Sequence, residues 1–521
     1  MQRIKFKRVF LIFAIITLQI NLFSQDWPVY QKDIQRSGIS SVDLSTSINL
    51  NWKYQAIVAP QPAWADPAKT DYWHRETNLK PRVIFDRAYH VISVGDKVYF
   101  GSSANDKIYC LDANTGNEIW SYFTGGPVRL APSYADGLLY TGSDDGVVYC
   151  LNAENGKLIW KINTTEGKRF IPGNERVISI SPIRTGVLVD EGTAYFCSGM
   201  FPNEGVDLYA VDAKTGEVEW KKSQLGISPQ GYMLASKNNL YIPTGRTTPK
   251  IFSRKDGKNV GSFRGNGGTY ALLVNDELIY GGGDEGKLNN SNATCQNTDE
   301  IATFLGLQII VKDEISYLRS DNELSAIKRQ KYIEDYKDWA EVEDKKSDLA
   351  DDLWDLREER KLALPNEAKK IDKKIAKLIG KMSQYDIKRE NIEAGGLIWK
   401  TKIDDSYSMI LSGNTIIIGG NGKVDFFDVN LGKKTGSQKV NGIVYSLAVA
   451  NGNLLVSTGS GNIYSFSSKK VSEAQNHKFE IIENPYKDDG NVKIYNNAVK
   501  KILDKGIDRG YCLIVGSENG H

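Results

Sequence analysis

Tyr109-Cys-Leu-Asp-Ala-Asn-Thr-Gly116-Asn-Glu-Ile-Trp120 recurs as Tyr149-Cys-Leu-Asn-Ala-Glu-Asn-Gly156-Lys-Leu-Ile-Trp160, forty positions on. It returns as Tyr209-Ala-Val-Asp-Ala-Lys-Thr-Gly216-Glu-Val-Glu-Trp220, sixty positions after the second copy, which predicts an insertion between them. Each part has a mechanical reason. Tyr-Cys-Leu alternates as a half-buried strand. Asp-Ala-x-Thr-Gly makes a hairpin turn whose glycine sits where φ is positive. Leu-Ile-Trp forms an outer strand whose indole can dock on the neighbouring unit, so one unit alone leaves the ring in water. A period near forty with four short strand signals per unit predicts an all-β propeller.

Weaker copies extend the pattern. Phe252-Ser-Arg-Lys-Asp-Gly257 and Phe426-Phe-Asp-Val-Asn-Leu-Gly432 keep the turn, Gly395-Gly-Leu-Ile-Trp399 keeps the outer strand, and Asn462-Ile-Tyr-Ser-Phe466 keeps only a third strand. The last unit lacks an outer strand, and Ile48-Asn-Leu-Asn-Trp52-Lys-Tyr54 is the candidate to supply it. Borrowing that N-terminal strand would close the ring and remove two open sheet edges. The count is about seven blades, with eight as the alternative.

Other segments interrupt the repeats. Residues 1–24 read as a signal peptide: Arg3, Lys5, Lys7 and Arg8, then a short apolar run from Val9 to Leu18, then Phe23-Ser24-Gln25. With no cysteine near the cleavage point to carry a lipid, the reading is periplasmic or secreted. The propeller spans 25–468. Within it, residues 55–90 form a strap and residues 290–393 a helical hairpin insertion. Ile371, Ile375, Leu378, Met382 and Tyr385 step by four and three in a coiled-coil-like seam, as do Leu349, Leu353 and Leu356, with Pro365 between the helices. A linker covers 469–484, and 485–521 is a short α/β fragment.

The chain has 521 residues, 66 Lys and Arg against 64 Asp and Glu, and a net charge of +2, which gives no reason to expect nucleic acid or an anionic membrane as partner. The five cysteines are odd in number and show no paired spacing, and four histidines offer no metal-binding spacing.

The Asp112-Ala-Asn-Thr-Gly116…Trp120 string and its copies resemble the PQQ-type propeller repeat, shared by quinoprotein dehydrogenases and by outer-membrane assembly scaffolds. Lys80-Pro-Arg-Val-Ile-Phe-Asp-Arg-Ala-Tyr-His90, Gly126-Pro-Val-Arg-Leu-Ala-Pro132 and Ser228-Pro-Gln-Gly-Tyr232 resemble a narrower bacterial group that fuses such a propeller to a methyltransferase-like domain. In the tail, Gly510-Tyr-Cys-Leu-Ile-Val515 followed by Gly516-Ser-Glu-Asn-Gly520 resembles the first strand and glycine loop of class I S-adenosylmethionine-dependent methyltransferases. The resemblance implies that Gly516 and Gly520 would approach that cofactor in a complete domain. Here Glu518 replaces the usual middle glycine, and the domain reads as truncated.

The quinoprotein resemblance would imply calcium, an acidic base and usually adjacent cysteines, and this sequence has no adjacent cysteines. The expectation is therefore an exported binding scaffold with no cofactor. Aligned inner-strand positions point Arg129, Arg184, Gln230 and Tyr445 at the centre, as candidates for a small anionic or polar ligand. The alternative there is that the arginines pair with Asp86 and Asp190. Trp73, His74, Asp86, Arg87 and His90 are the strap candidates, with Asp86 and His90 the pair to watch for acid–base work. A protein partner would use the propeller face or the hairpin, where Tyr332, Tyr336, Trp339 and Trp354 give an aromatic surplus.

Overall fold

The computed structural model describes residues 25–63, 84–165, 167, 169–173, 176–245, 247–262, 270–274, 277–281, 291–294, 300–304, 306–320, 322–469, 473–478 and 491–506. The chain is mostly β. Six separate four-stranded antiparallel sheets follow one another along it. The first is Val91–Val94, Lys97–Ser102, Lys107–Asp112 and Glu118–Phe123, and the second is Ser133–Ala135, Leu138–Gly142, Val147–Asn152 and Leu158–Asn163. The third runs from Leu188–Asp190 to Val218–Lys222, and the fourth from Leu234–Ala235 to Asn259–Ser262. The fifth runs from Tyr270–Val274 to Glu300–Phe304, and the sixth from Gln308–Lys312 to Leu397–Lys402.

Two short two-stranded pairs and an eight-stranded run make up the rest of the described β structure, and Ile39–Ser40 begins the run by pairing in parallel with Ser406–Ser412. Ser406–Ser412 pairs with the first half of Thr415–Asp428, whose second half pairs with the first part of Lys434–Ala450. The rest of Lys434–Ala450 pairs with Asn453–Thr458, which pairs with Asn462–Ser467. Asn462–Ser467 then takes Asn49–Gln55 as its antiparallel neighbour, and Gln475–Lys478 adds to that strand in parallel.

The repeated motif explains how the sheets hold together. In the first copy the Asp112 carboxylate accepts the N–H groups of Asn114 (3.0 Å) and Thr115 (2.7 Å), and Gly116 N–H reaches the Asp112 carbonyl (2.8 Å). Gly116 has φ of +77°, and a Cβ there would lie 2.7 Å from the Trp52 ring. Each motif tryptophan therefore lies on the turn glycine of the next sheet. Trp120 covers Gly156, Trp160 covers Gly216, and Trp399 covers Gly432. The indole N–H groups bind carbonyls in those turns: Trp52 to Ala113 (2.9 Å), Trp120 to Ala153 (3.1 Å) and Trp160 to Ala213 (2.9 Å). Only glycine leaves room for a flat ring at that distance, so turn and tryptophan form one device.

The N-terminal segment has a role that its sequence did not announce. Trp27 exchanges backbone hydrogen bonds with Ser93 (2.7 and 3.0 Å). Further along, the carbonyls of Pro28, Ile34, Gln35 and Gly38 accept the N–H groups of Tyr134, Ala235, Leu273 and Leu411. Those partners belong to the first strands of the first, second, fourth and fifth sheets and of the eight-stranded run. The first strands thus converge on residues 27–38, which satisfy backbone groups that would otherwise be buried unpaired.

Two expectations need correction here. The insertion is shorter than 290–393, because strands occupy 291–294, 300–304, 308–312, 315–319 and 323–328. The helices are α1 (Arg329–Leu362) and α2 (Pro365–Gly396), and they sit between the third and fourth strands of the sixth sheet. They thus replace the tight turn that carries the motif's glycine elsewhere, which left these strands without their usual signature. The aromatic surplus also divides. Tyr332 stacks on Phe304 (5.1 Å), Tyr336 stacks on Trp339 (5.1 Å) and Arg389 covers Trp339 (5.2 Å), so these rings secure the base of the hairpin. Trp354 is 65% exposed farther along. Lys346–Asp386 and Arg360–Asp372 ion pairs join the two helices.

A third helix, α3 (Val492–Leu503), follows the strands. No helix among the described residues is long and apolar enough to cross a membrane. The signal segment, Trp73, His74, Gly516 and Gly520 lie outside the described residues.

Candidate functional site

Where the first strands converge, four charged side chains are almost wholly buried. Asp144 sits in the turn before Val147–Asn152, with its backbone N–H on the Pro127 carbonyl (2.9 Å). Arg129 donates its Nε to Asp144 (2.6 Å), and Arg184 donates Nε (2.5 Å) and Nη2 (3.0 Å) to the same carboxylate. Arg129 Nη1 also reaches the Gln61 carbonyl (2.5 Å) and Asp86 (3.4 Å), and Asp86 accepts the Ala63 N–H (2.6 Å). All four residues are at most 5% exposed. Two arginines and two carboxylates neutralise one another, so the cluster can exist without water. Burial pushes the Asp86 carboxyl up, with Arg129 opposing, and pulls the Arg184 guanidinium down, with Asp144 opposing.

The sequence brought Arg129, Arg184 and Asp86 to one place, and Arg129 does reach Asp86, but Asp190 is not the second partner. Asp144 joins the arginines, while Asp190 pairs with Arg254 (2.8 Å). Asp144 lies in a turn of the second sheet, off the inner-strand register that singled out the arginines. Asp86 and His90 do not pair either. Asp86 is held by Ala63 and Arg129, whereas the His90 ring lies near the Phe85 backbone and makes no well-formed hydrogen bond among the described residues. Arg87 is partly buried, with its N–H on the Ile84 carbonyl (3.3 Å), and Gln230 is buried with its N–H on the Pro243 carbonyl (2.9 Å).

Beside the ion cluster is a cup of about 80 Å³ lined by Tyr30, His90, Tyr232, Arg319 and Tyr445, among others. Tyr30 stacks face to face on Tyr232 (3.7 Å, 4°), and the Arg36 guanidinium lies over Tyr232 (5.5 Å). Arg36 is itself buried, donating Nη2 to the Met233 carbonyl (2.8 Å) and Nη1 to the carbonyls of Tyr30 (3.0 Å) and Asp33 (3.1 Å). Gln31, Lys32 and Arg36 all have positive φ (54°, 80° and 63°). Such strain persists only where the surroundings fix it, and here Arg36 and the stacked rings do so. Tyr445 meets Tyr407 edge on (5.5 Å). Of the candidates read from sequence that lie among the described residues, Tyr445 and His90 line this cup. Tyr30, Arg36 and Arg319 were missed, since nothing local marks residues from the N-terminal segment and the end of a second strand as neighbours.

His90 is 4% exposed, and burial pulls its pKa from 6.5 down to about 4, with the nearby Phe85 backbone opposing slightly. Between those values the unfolded chain binds the proton and the folded chain does not. Stability should therefore rise with pH from about 4 to about 6.5, a span worth about 3 kcal/mol from this group. Urea unfolding at both ends of that window, compared with His90→Gln, checks this. The variant should lose most of the slope, and an unchanged slope would show that the ring is not held neutral.

The three described cysteines, Cys110, Cys150 and Cys197, are buried in the first, second and third sheets. Burial pushes the Cys110 and Cys150 thiols up to about 12, so they are unreactive packing groups. Thiols in three separate sheets cannot form a vicinal pair. The carboxylates of Asp86 and Asp144 are each held by arginine, and so do not present the several open oxygen ligands that calcium requires. These residues do not fit a calcium–quinone site.

Comparison with known proteins follows from this geometry. Residues 65–169 and 104–331 match the family described as outer membrane protein assembly factor BamB, and together they span just over half the chain. The chain belongs to this PQQ-type propeller family. Among solved structures, the quinohemoprotein alcohol dehydrogenase from Comamonas testosteroni superposes with a TM-score of 0.51 at 12% identity, covering 90% of this chain and 84% of that chain. The quinohemoprotein alcohol dehydrogenase ADHIIG from Pseudomonas putida HK5 gives 0.51 at 11% identity, covering 92% and 86%. At these identities the likeness speaks for the propeller fold alone. BamB from Moraxella catarrhalis, at 11% identity over 81% of this chain and 99% of that one, superposes with a TM-score of only 0.36, which carries no argument. No curated protein matches the chain.

Proposed function

We propose that this family member is an exported, non-catalytic propeller scaffold that holds a protein partner on its hairpin. One observation carries the reading. The buried charged groups Arg129, Arg184, Asp86 and Asp144 are spent on one another, so none of the four is a poised base or nucleophile. The hairpin meanwhile presents Trp354, Leu362 and Leu364 at 65%, 91% and 69% exposure, well away from its secured base. The family's description as an assembly factor favours a binding role, and the basic and apolar segments within residues 1–24 favour export.

On the same reading the blades number eight: the six separate sheets and two halves of the eight-stranded run. Asn49–Gln55 would close the ring, since it pairs with Asn462–Ser467 while Trp52 covers Gly116 of the first sheet. Closure would leave no sheet edge inside the ring.

The test replaces residues 345–387 by a short Gly-Ser turn, which keeps Tyr332, Tyr336 and Trp339 at the base. Affinity capture from cell-envelope extract, with the full chain and the shortened chain side by side, should lose a defined protein only in the shortened form. Identical recovered proteins would remove the hairpin from the proposal. A parallel titration with PQQ and calcium should leave absorbance and melting temperature unchanged, and saturable binding with dye reduction would replace the scaffold by an enzyme.

A second reading, the propeller portion of a methyltransferase fusion, draws on α3. Its Tyr495, Val499, Ile502 and Leu503 are 43%, 53%, 46% and 57% exposed, a face suited to packing against a further unit.

A further inference from the structure

The cup contains a polar group that the protein leaves unsatisfied. His90 is 4% exposed, lines the cavity beside the Phe85 backbone, and makes no well-formed hydrogen bond to a described residue through either ring nitrogen. Buried polar groups in native proteins are nearly always paired, and an orphan at a cavity wall calls for a molecule in the cavity. The ring is uncharged at neutral pH, and so offers one donor and one acceptor. The other side chains around the cavity narrow the chemistry. Tyr30, Tyr270, Tyr407 and Tyr445 line it and are each half-buried. No carboxylate lies among its described lining residues. Arg319 already donates to the Ser406 carbonyl (2.7 Å) and toward the Gln308 side chain (3.3 Å).

We propose that this cup binds the edge of a neutral saccharide ring, with hydroxyls on His90 and the ring face against tyrosine. The proposal deepens the scaffold reading by naming a ligand for its centre. A hydroxyl both donates and accepts, which matches the two ring nitrogens of a neutral imidazole. A sugar ring also has an apolar C–H face that packs on an aromatic ring, so the mixture of tyrosines with one unpaired imidazole suits it better than a cation or an anion. The cavity holds about 80 Å³, enough for the buried edge of a hexose, while the rest of the ring lies in the open mouth. Tyr445 is the tyrosine whose removal is simplest to read, because it contacts Tyr407 and packs beside Gly459 without serving a described hydrogen bond.

Calorimetric titration of the full chain with glucose, N-acetylglucosamine and maltotriose tests this, with citrate and phosphate as the anionic arm. At least one neutral sugar should bind saturably. Both His90→Leu and Tyr445→Ala should weaken it by about tenfold, the size of one well-made hydrogen bond or stacking contact. Melting temperatures of both variants show whether the fold is kept, and Tyr445→Phe, which preserves the ring, should retain most of the affinity. No saturable binding by any neutral sugar overturns the proposal. So does sugar binding that neither variant affects, or citrate or phosphate binding that is lost in Arg319→Gln. The hairpin capture is independent of these titrations, so failure here would leave the scaffold reading intact.

Discussion

Asp144→Ala should destabilise the protein by about 3–5 kcal/mol, the cost of removing one partner from a buried ion network. Asp144 is 0% exposed and takes three hydrogen bonds from two arginines that are themselves at most 5% exposed. Without it, Arg129 keeps Gln61 and the longer contact to Asp86, but none of the described hydrogen bonds of the Arg184 guanidinium remains. An unpaired guanidinium in that position must either draw in water or shift the strands that bury it. Urea midpoints at constant slope measure the loss. The double variant Asp144→Ala, Arg184→Met supplies the control. Removing the stranded charge should recover part of the stability, because well-packed apolar groups can replace a buried pair. A double variant as unstable as the single one would show that the carboxylate matters for shape and not for charge.

Trp52→Ala is expected to cost a further large amount, about 3–5 kcal/mol for deleting a fully buried indole. The ring is 0% exposed, lies on Gly116, and donates to the Ala113 carbonyl at 2.9 Å. Its strand pairs with Asn462–Ser467, so this one side chain fastens the end of the chain's β structure to its beginning. Trp399→Ala removes a chemically similar contact between sheets that are already neighbours in sequence. The two should therefore differ in kind. Trp52→Ala should expose sheet edges and promote aggregation on heating, while Trp399→Ala should lower the melting temperature with less aggregation. Thermal unfolding followed by circular dichroism and light scattering separates them. Equal aggregation in both would argue against a special fastening role for Trp52.

The repeats were legible because their chemistry is local. Asp112 to Gly116 and its copies carry turn, strand and docking residue within a dozen positions, and Cys110, Cys150 and Ala210 face Trp120, Trp160 and Trp220 in the same register. The sixth sheet follows the same register, with Ala326 opposite Trp399. There, α1 and α2 separate the two halves of the motif, so the outer strand carrying Trp399 was legible but the Glu323–Lys328 strand it pairs with was not. The fifth sheet lacks the docking tryptophan altogether, and its strands were equally silent.

The central site divides along the same line. Repeat alignment brought Arg129 and Arg184 to one place because equivalent positions recur from blade to blade, although both lie in the loops just before Ser133–Ala135 and Thr185–Gly186 and not on inner strands. Asp144, Tyr30 and Arg36 have no such register. They come from a turn and from an N-terminal segment that is threaded among the first strands.

By itself, then, the sequence determined the blade, its turn glycine, its docking tryptophan and the strand that Trp52 belongs to, since each is set by contacts among near neighbours or by an exact repeat. Only the tertiary structure decided that Asp144 joins Asp86 in neutralising the arginines, and that the strap's His90 meets Tyr30 edge on. The physical reason is that pairing of buried charges and rings depends on where distant segments meet, and no periodicity in the chain records that meeting.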